Sequence, residues 1–265
     1  MAQASNIDID LHHEERGDGD PLVLIPGLAA GRWIWFKQIG VLSEYFRVIT
    51  FDPRGIGTTP LDSDQLTIQL LANDVAALLR KLGIKRAHVL GASFGGFVAQ
   101  EFAATHPEMT RCLVLSCTSF GGPNHVPASA DTIAAIASTN GFNTEDRIRR
   151  ILLPAFSPEF VREHPEEIEQ TMKLRLASFV SEETYRAQVA AAVNFNVEEK
   201  LSAITAPTLV LSGDADAVVP AQNSQNLASR ISGAQLAIVK GGSHLFFIER
   251  PKEFNEIVIE FLRRH

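Results

Sequence analysis

The sequence predicts an α/β protein, a doubly wound and mostly parallel sheet carrying a helical insertion. Three observations point there. Short, continuously apolar runs recur along the 265-residue chain. Segments with helical period lie between them. One long stretch, from Phe120 to about Ala203, breaks the alternation and holds no convincing strand. Strands buried on both faces read as unbroken apolar runs, because helices cover both sides of a parallel sheet. Strand alternating with helix is the pattern of a doubly wound sheet.

The elements follow in order. Residues 6–14 alternate apolar and polar and then meet the turn-rich GDGD at 17–20, which predicts an antiparallel hairpin opening the fold. The buried runs are 21–27 (PLVLIPG), 47–52 (RVITFD), 87–92 (AHVLGA), 112–117 (CLVLSC), 207–214 (PTLVLSGD) and 235–241 (QLAIVKG). Residues 66–83 place Leu70, Leu71, Val75, Leu78 and Leu79 on one side of a helix that stops at Gly83. Residues 251–264 close the chain as a helix with Pro251 in its first turn. Within 120–203, residues 166–180 and 182–193 read as amphipathic helices. Ligands of α/β sheets bind at the carboxyl ends of the strands. A helical insertion of this size is expected over that end, as a lid.

Composition sets the remaining bounds. Hydrophobic residues make up 45% and charged residues 21%, which is ordinary globular usage. The formal net charge of −7 argues against nucleic acid as a partner, which favours a basic face. Cys112 and Cys117 are an odd number of residues apart, so a strand would place them on opposite faces as inert, unpaired core thiols. Two buried thiols suit a reducing compartment, and the chain opens on no basic segment followed by an apolar run, so a cytoplasmic protein is expected. No apolar stretch approaches the ~18 residues of a membrane span.

The chemistry starts at Gly91-Ala92-Ser93-Phe94-Gly95, a G-x-S-x-G between a strand and a helix. A serine on so sharp a bend needs small neighbours, and its hydroxyl stands exposed before the free N–H groups of the following helix. A phosphate-binding turn fits less well, because GASFGG has neither a P-loop lysine nor G-x-G-x-x-G spacing. A hydroxyl needs a base. Of eight histidines, His244 lies in KGGSHLFFIERP, just past the last apolar run and on the same sheet edge as Ser93. The base needs an orienting carboxylate. Asp214 and Asp216 follow the preceding strand, and TSFGGPN after residues 112–117 offers none. Asp216 is chosen, because Asp214 follows Gly213 too closely and suits a turn cap.

With these residues in place, the sequence resembles the α/β-hydrolase superfamily, in the compact group with a helical cap. The resemblance rests on Pro26-Gly27-Leu28, residues 52–57 (DPRGIG), 91–96 (GASFGG), 213–220 (GDADAVVP) and Gly242-Ser243-His244. It implies an α/β-hydrolase fold with a cap inserted after the sixth strand, residues 1–119 and 204–265 forming the core and 120–203 the cap. The family's acid is the aspartate three after the glycine, here Asp216. The family's oxyanion hole uses two backbone N–H groups, which fall here on Leu28 and Phe94. Many relatives carry His-Gly where this chain has Pro26-Gly27. Asp52 and Arg54 are expected to tie loops near the site. Trp33, Phe142, Phe156, Phe179 and Phe195 are candidates for an apolar substrate pocket.

Serine at the elbow, where dehalogenases and epoxide hydrolases of this fold carry aspartate, leaves acyl transfer to water. The expected function is a serine hydrolase of small to medium apolar carboxylic esters, working through an acyl-serine without metal or cofactor. An enol-lactonase or a carbon–carbon bond hydrolase of ring-cleavage products would use the same triad. A ligand sensor that retains the triad is the alternative of a different class. The partner expected is a small-molecule ester or lactone.

Overall fold

The computed structural model describes residues 9–61, 65–138, 141 and 144–265. In chain order the elements are β1 (His13–Arg16), β2 (Asp20–Ile25), α1 (Ile39–Leu42), β3 (Phe46–Phe51), α2 (Ile68–Lys81), β4 (Ala87–Ala92), α3 (Phe94–Thr105) and β5 (Thr110–Ser116). Five helices follow: α4 (Ala130–Ala137), α5 (Glu145–Leu152), α6 (Pro158–Glu163), α7 (Pro165–Ala177) and α8 (Glu182–Val193). The chain returns through β6 (Thr208–Gly213), α9 (Gln222–Arg230), β7 (Gln235–Val239), α10 (Phe246–Glu249) and α11 (Pro251–Arg263). The strands form one sheet in the order β1-β3-β2-β4-β5-β6-β7. β1 runs antiparallel to β3, and every other pairing is parallel.

Side chains alternate across the sheet and build a core on each face. Val23, Ile25, Ile49, Val89, Leu113 and Val210 pack with α2 and α3 on one side. Leu22, Leu24, Val48, Leu90, Val114 and Leu209 pack on the other with Phe254, Val258 and Phe261 of α11. The central strands β4 and β6 are buried throughout, as their apolar runs require. β7 has one open side as the sheet's last strand, and Leu236 and Ile238 are exposed there.

Three expectations are corrected. The opening segment forms no hairpin with the next strand: β3 lies between β1 and β2. The last four residues of β2 are buried, and Leu22, Val23 and Leu24 take parallel partners on both sides, whereas three of four residues of β1 are exposed and suit an edge. The opening segment therefore supplies a single strand among the described residues, and the helical segment follows the fifth strand rather than a sixth. The two cysteines share one core cluster instead of opposite faces, because β5 ends at Ser116 and Cys117 turns away with φ 42°. Both thiols are free and buried.

Four of the five helices between β5 and β6, all but α7, begin on hydroxyl caps. Ser129, Thr144, Ser157 and Ser181 accept the N–H groups of Thr132, Arg147, Phe160 and Thr184 at 3.2, 3.3, 3.2 and 3.0 Å. Each cap satisfies a donor that the first turn leaves without a helical partner.

The turn from β4 into α3 sets the position of Ser93. Ser93 has φ 55° and ψ −119°, a backbone conformation that a side chain adopts only under strain. The chains on either side pack too closely for side chains: a Cβ at Gly91 would lie 2.2 Å from the Gly95 carbonyl oxygen, and one at Gly95 would lie 2.2 Å from that of Ile25. The Ser93 N–H donates to the Ser116 carbonyl at 2.9 Å, and the Thr118 hydroxyl donates to the Ser93 carbonyl at 2.8 Å. Removing the Cβ removes the strain. Ser93→Gly is expected to stabilise the fold by about 1 kcal/mol in urea denaturation, the relief being partly offset by a freer unfolded chain. A loss of stability would contradict the strain.

His88 is buried in β4 with its Nδ1 unpartnered among the described residues and its ring edge-on to Phe46. Burial, with Arg111 and Arg86 adding repulsion and Asp20 opposing, pushes its pKa down from 6.5 to about 4. The unfolded chain therefore holds a proton between those values that the folded chain does not. Stability from this residue is complete above about pH 6.5 and is lost as the pH falls toward 4, by up to about 3 kcal/mol. His88→Leu should flatten the change in stability between pH 7 and pH 5, and an unchanged slope would contradict it.

Candidate active site

The loops after β4, β6 and β7 leave the same edge of the sheet and bring three predicted residues together. Ser93 follows β4, Asp216 follows β6 and His244 follows β7. His244 Nε2 lies 3.0 Å from Ser93 Oγ, and His244 Nδ1 lies 2.9 Å from Asp216 Oδ2. The carboxylate only accepts, so Nδ1 carries the proton and Nε2 offers its lone pair to the serine hydroxyl. Asp216 Oδ1 accepts the N–H groups of Val218 and Val219, each at 2.8 Å. These bonds fix the carboxylate, whose side chain is wholly buried. Asp214 is exposed and does another job: its Oδ1 accepts the Gly241 N–H at 2.6 Å and ties the β6 and β7 loops together.

Phe94 follows Ser93 in the chain, and Leu28 lines the same cavity as Ser93. Phe94 opens α3 with its side chain in the core, which leaves its backbone N–H at the helix start. No loop or cap hydrogen bond of the described residues uses the N–H of Leu28 or of Phe94. The Leu28 loop is held from two sides. Ala29, at φ 53°, donates its N–H at 2.8 Å to the side-chain oxygen of Gln188, a buried residue of α8. Asp52 accepts the Arg32 N–H at 2.9 Å and pairs with the Arg32 guanidinium. Arg54 forms a buried pair with Asp74 of α2, at 2.6 and 2.8 Å. Asp52 thus anchors the Leu28 loop, and Arg54 anchors its own loop to α2.

A cavity of about 460 Å³ opens over Ser93 and His244. The predicted Trp33 lines it, beside Ile34, Ile148, Ile151 and Phe247. Three pocket candidates, Phe156, Phe179 and Phe195, are corrected. Phe156 is buried in the core and stacks on Phe160, with ring centroids 5.5 Å apart. Phe179 is 65% exposed, because its neighbour Val180 turns inward to bridge Ile56 while Phe179 contributes its carbonyl to the Gly57 N–H. Phe142 lies outside the described residues. Phe195 stacks on Phe97 of α3, with centroids 4.6 Å apart, and does not line the cavity.

Several residues of the site carry no motif. Gln188 is one. Glu249 is another: its carboxylate accepts the Ser243 N–H at 2.9 Å and the Ser157 N–H, joining the His244 loop to α6. Arg147, Arg175 and Tyr185 also line the cavity. The signal for Arg147 lies in TEDRIRRIL: it shares a helix face with Ile148, Ile151 and Leu152, a cation on an apolar stripe.

A model of the alpha/beta hydrolase fold family matches residues 20–251. A relative in Azorhizobium caulinodans, named as a candidate carbamate hydrolase RutD, is 29% identical over 98% of each chain. A poly(3-hydroxyalkanoate) depolymerase from Ectopseudomonas oleovorans is 31% identical over 92% of this chain and 84% of its own. The solved enol-lactonase of Burkholderia xenovorans superposes with a TM-score of 0.86 at 25% identity, over 98% of this chain and 99% of that one. The chain belongs to the alpha/beta hydrolase fold family.

Proposed function

We propose that this hydrolase cleaves carboxylic esters of small to medium size through an acyl-serine intermediate. The hydrogen-bonded line from Asp216 through His244 to Ser93 carries this reading. His244 Nε2 takes the Ser93 proton as Oγ attacks the ester carbonyl. The N–H groups of Leu28 and Phe94 hold the oxyanion, an arrangement whose single donors are worth roughly 100- to 1000-fold in turnover. The tetrahedral intermediate collapses, and the alkoxide leaves with the proton from His244. Water, deprotonated by the same imidazole, then releases the acid and restores Ser93. The apolar walls formed by Trp33, Ile148 and Ile151 suit the body of the substrate.

Residues 120–203 act as a cap in this reading, with residues 1–119 and 204–265 as the core. Their helices bear on the catalytic loops: Gln188 holds the Leu28 loop, and the Ala155 carbonyl accepts the Leu245 N–H at 2.8 Å. The names of the relatives, a candidate carbamate hydrolase, a depolymerase and an enol-lactonase, support hydrolysis as the reaction class. The close superposition on the enol-lactonase favours a lactone as the second substrate class. The partner in either case is a small molecule.

A p-nitrophenyl ester series of increasing acyl length tests the reading. Steady turnover with a chain-length optimum is expected, and Ser93→Ala should abolish it while leaving the fold intact. Asp216→Asn should lower kcat by roughly 10⁴-fold, as loss of the orienting acid does in other triads, whereas Asp214→Asn should change it only a few-fold. Full activity in Ser93→Ala would sink the nucleophile, and the reverse order of the two aspartates would sink the choice of acid.

A further inference from the structure

We propose that the cap end of the cavity binds a carboxylate, so that the substrate is an ester or lactone with a free carboxylate away from the scissile carbonyl, held by Arg147 and Arg175. This rests on the hydrolase reading above for the reacting end of the substrate. Arg147 on α5 and Arg175 near the end of α7 both line the cavity that opens on Ser93. Tyr185 of α8 joins them: the Arg147 guanidinium carbon lies 5.9 Å from its ring centre, and the guanidinium N–H groups hydrogen-bond its hydroxyl.

Among the described residues, no carboxylate neutralises the charges there. Arg147 is only 4% exposed; it donates to the Ser138 carbonyl, and its Nε has no partner. Arg175 donates to the Ser178 carbonyl at 3.2 Å. Among the described residues no carboxylate lies within ion-pair distance of either. Two outward arginines of the neighbouring surface differ. Arg149 on α5 pairs with Glu145 and Glu169 at 3.0 and 2.9 Å, and Arg186 on α8 pairs with Glu182 at its own helix start. Carboxylates therefore meet Arg149 and Arg186 but, among the described residues, not the inward pair.

That imbalance is unfavourable in the free protein. Buried charges are ordinarily paired, and a guanidinium keeps its proton rather than escape the penalty. Burial and the neighbouring Arg147 bring the Arg175 pKa down to about 10, still charged at neutral pH. Asp131, the acidic residue in the lining, is exposed at the first turn of α4, and Arg150 adds a third, exposed cation. A ligand carboxylate would accept from the free donors in the paired geometry that guanidinium favours. The apolar stretch between Ser93 and the arginines takes the carbon chain.

The test compares mono-p-nitrophenyl glutarate and adipate with their terminal amides, isosteres that lack the charge. Wild-type kcat/KM should favour the acids by roughly 10- to 100-fold, the range for hydrogen bonds to a charged group. Arg175→Met, and separately Arg147→Met, should bring that ratio toward one. Free glutarate should also raise the melting temperature of the Ser93→Ala protein and not that of Ser93→Ala/Arg175→Met. Equal turnover of acid and amide in the wild type would overturn the carboxylate site, as would an acid preference that survives both arginine changes. Failure to hydrolyse either ester would count against the ester reading alone. The glutarate shift would still decide the carboxylate site, and no shift would overturn it.

Discussion

Ser93 occupies a backbone conformation that its side chain disfavours, and the site is built around that constraint. The turn from β4 to α3 is so tight that the carbonyl groups of Gly95 and Ile25 fill the space where flanking side chains would stand. Hydrogen bonds to Ser116 and Thr118 beside it hold the bend. The arrangement aims a hydroxyl out of the sheet edge, with a helix start behind it. Strain of this kind persists only where the surroundings over-determine it. Here the surroundings are the two most completely buried kinds of element in the fold, a central parallel strand and a helix packed on it.

The other two members of the line need less strain and more support. Asp216 is fixed by two backbone N–H groups, and the His244 loop is fixed by Glu249. Glu249 reaches the helical segment between β5 and β6 as well, and Gln188 of that segment holds Ala29 at its own positive φ. Gln188 and Asp52 anchor the Leu28 loop through Ala29 and Arg32. The helices over the cavity therefore shape the site in two ways, by walling it and by fixing the loops beneath.

Much of this was legible in the sequence because it depends on local rules. Parallel strands buried on both faces must be apolar throughout, and a serine between glycines at a strand end must be a bend. Ser93, Asp216 and His244 lie within a few residues of strand ends, so their placement follows once the strands are known. What was not legible depends on partners distant in the chain. Whether residues 13–16 pair with the next strand or the one after is decided by which neighbour buries β2. Phe179 and Val180 are equally apolar in sequence, and the bridge to Ile56 decides which turns inward. Phe156 and Phe195 found aromatic partners in the cores instead of facing the cavity. Gln188, Glu249 and Arg147 act through residues from 6 to 159 positions away or through neighbouring helices, and no spacing rule marks them. Cys117 leaves its strand one residue earlier than its apolar run suggests.

The most direct test is covalent. A fluorophosphonate probe, which reacts with an activated serine, is added to the wild-type protein, and the modified peptide is mapped by mass spectrometry. One adduct on Ser93, absent from Ser93→Ala and strongly slowed in His244→Ala, is the expected result. Labelling at another residue, or no labelling of a protein that hydrolyses esters, would contradict Ser93 as the nucleophile.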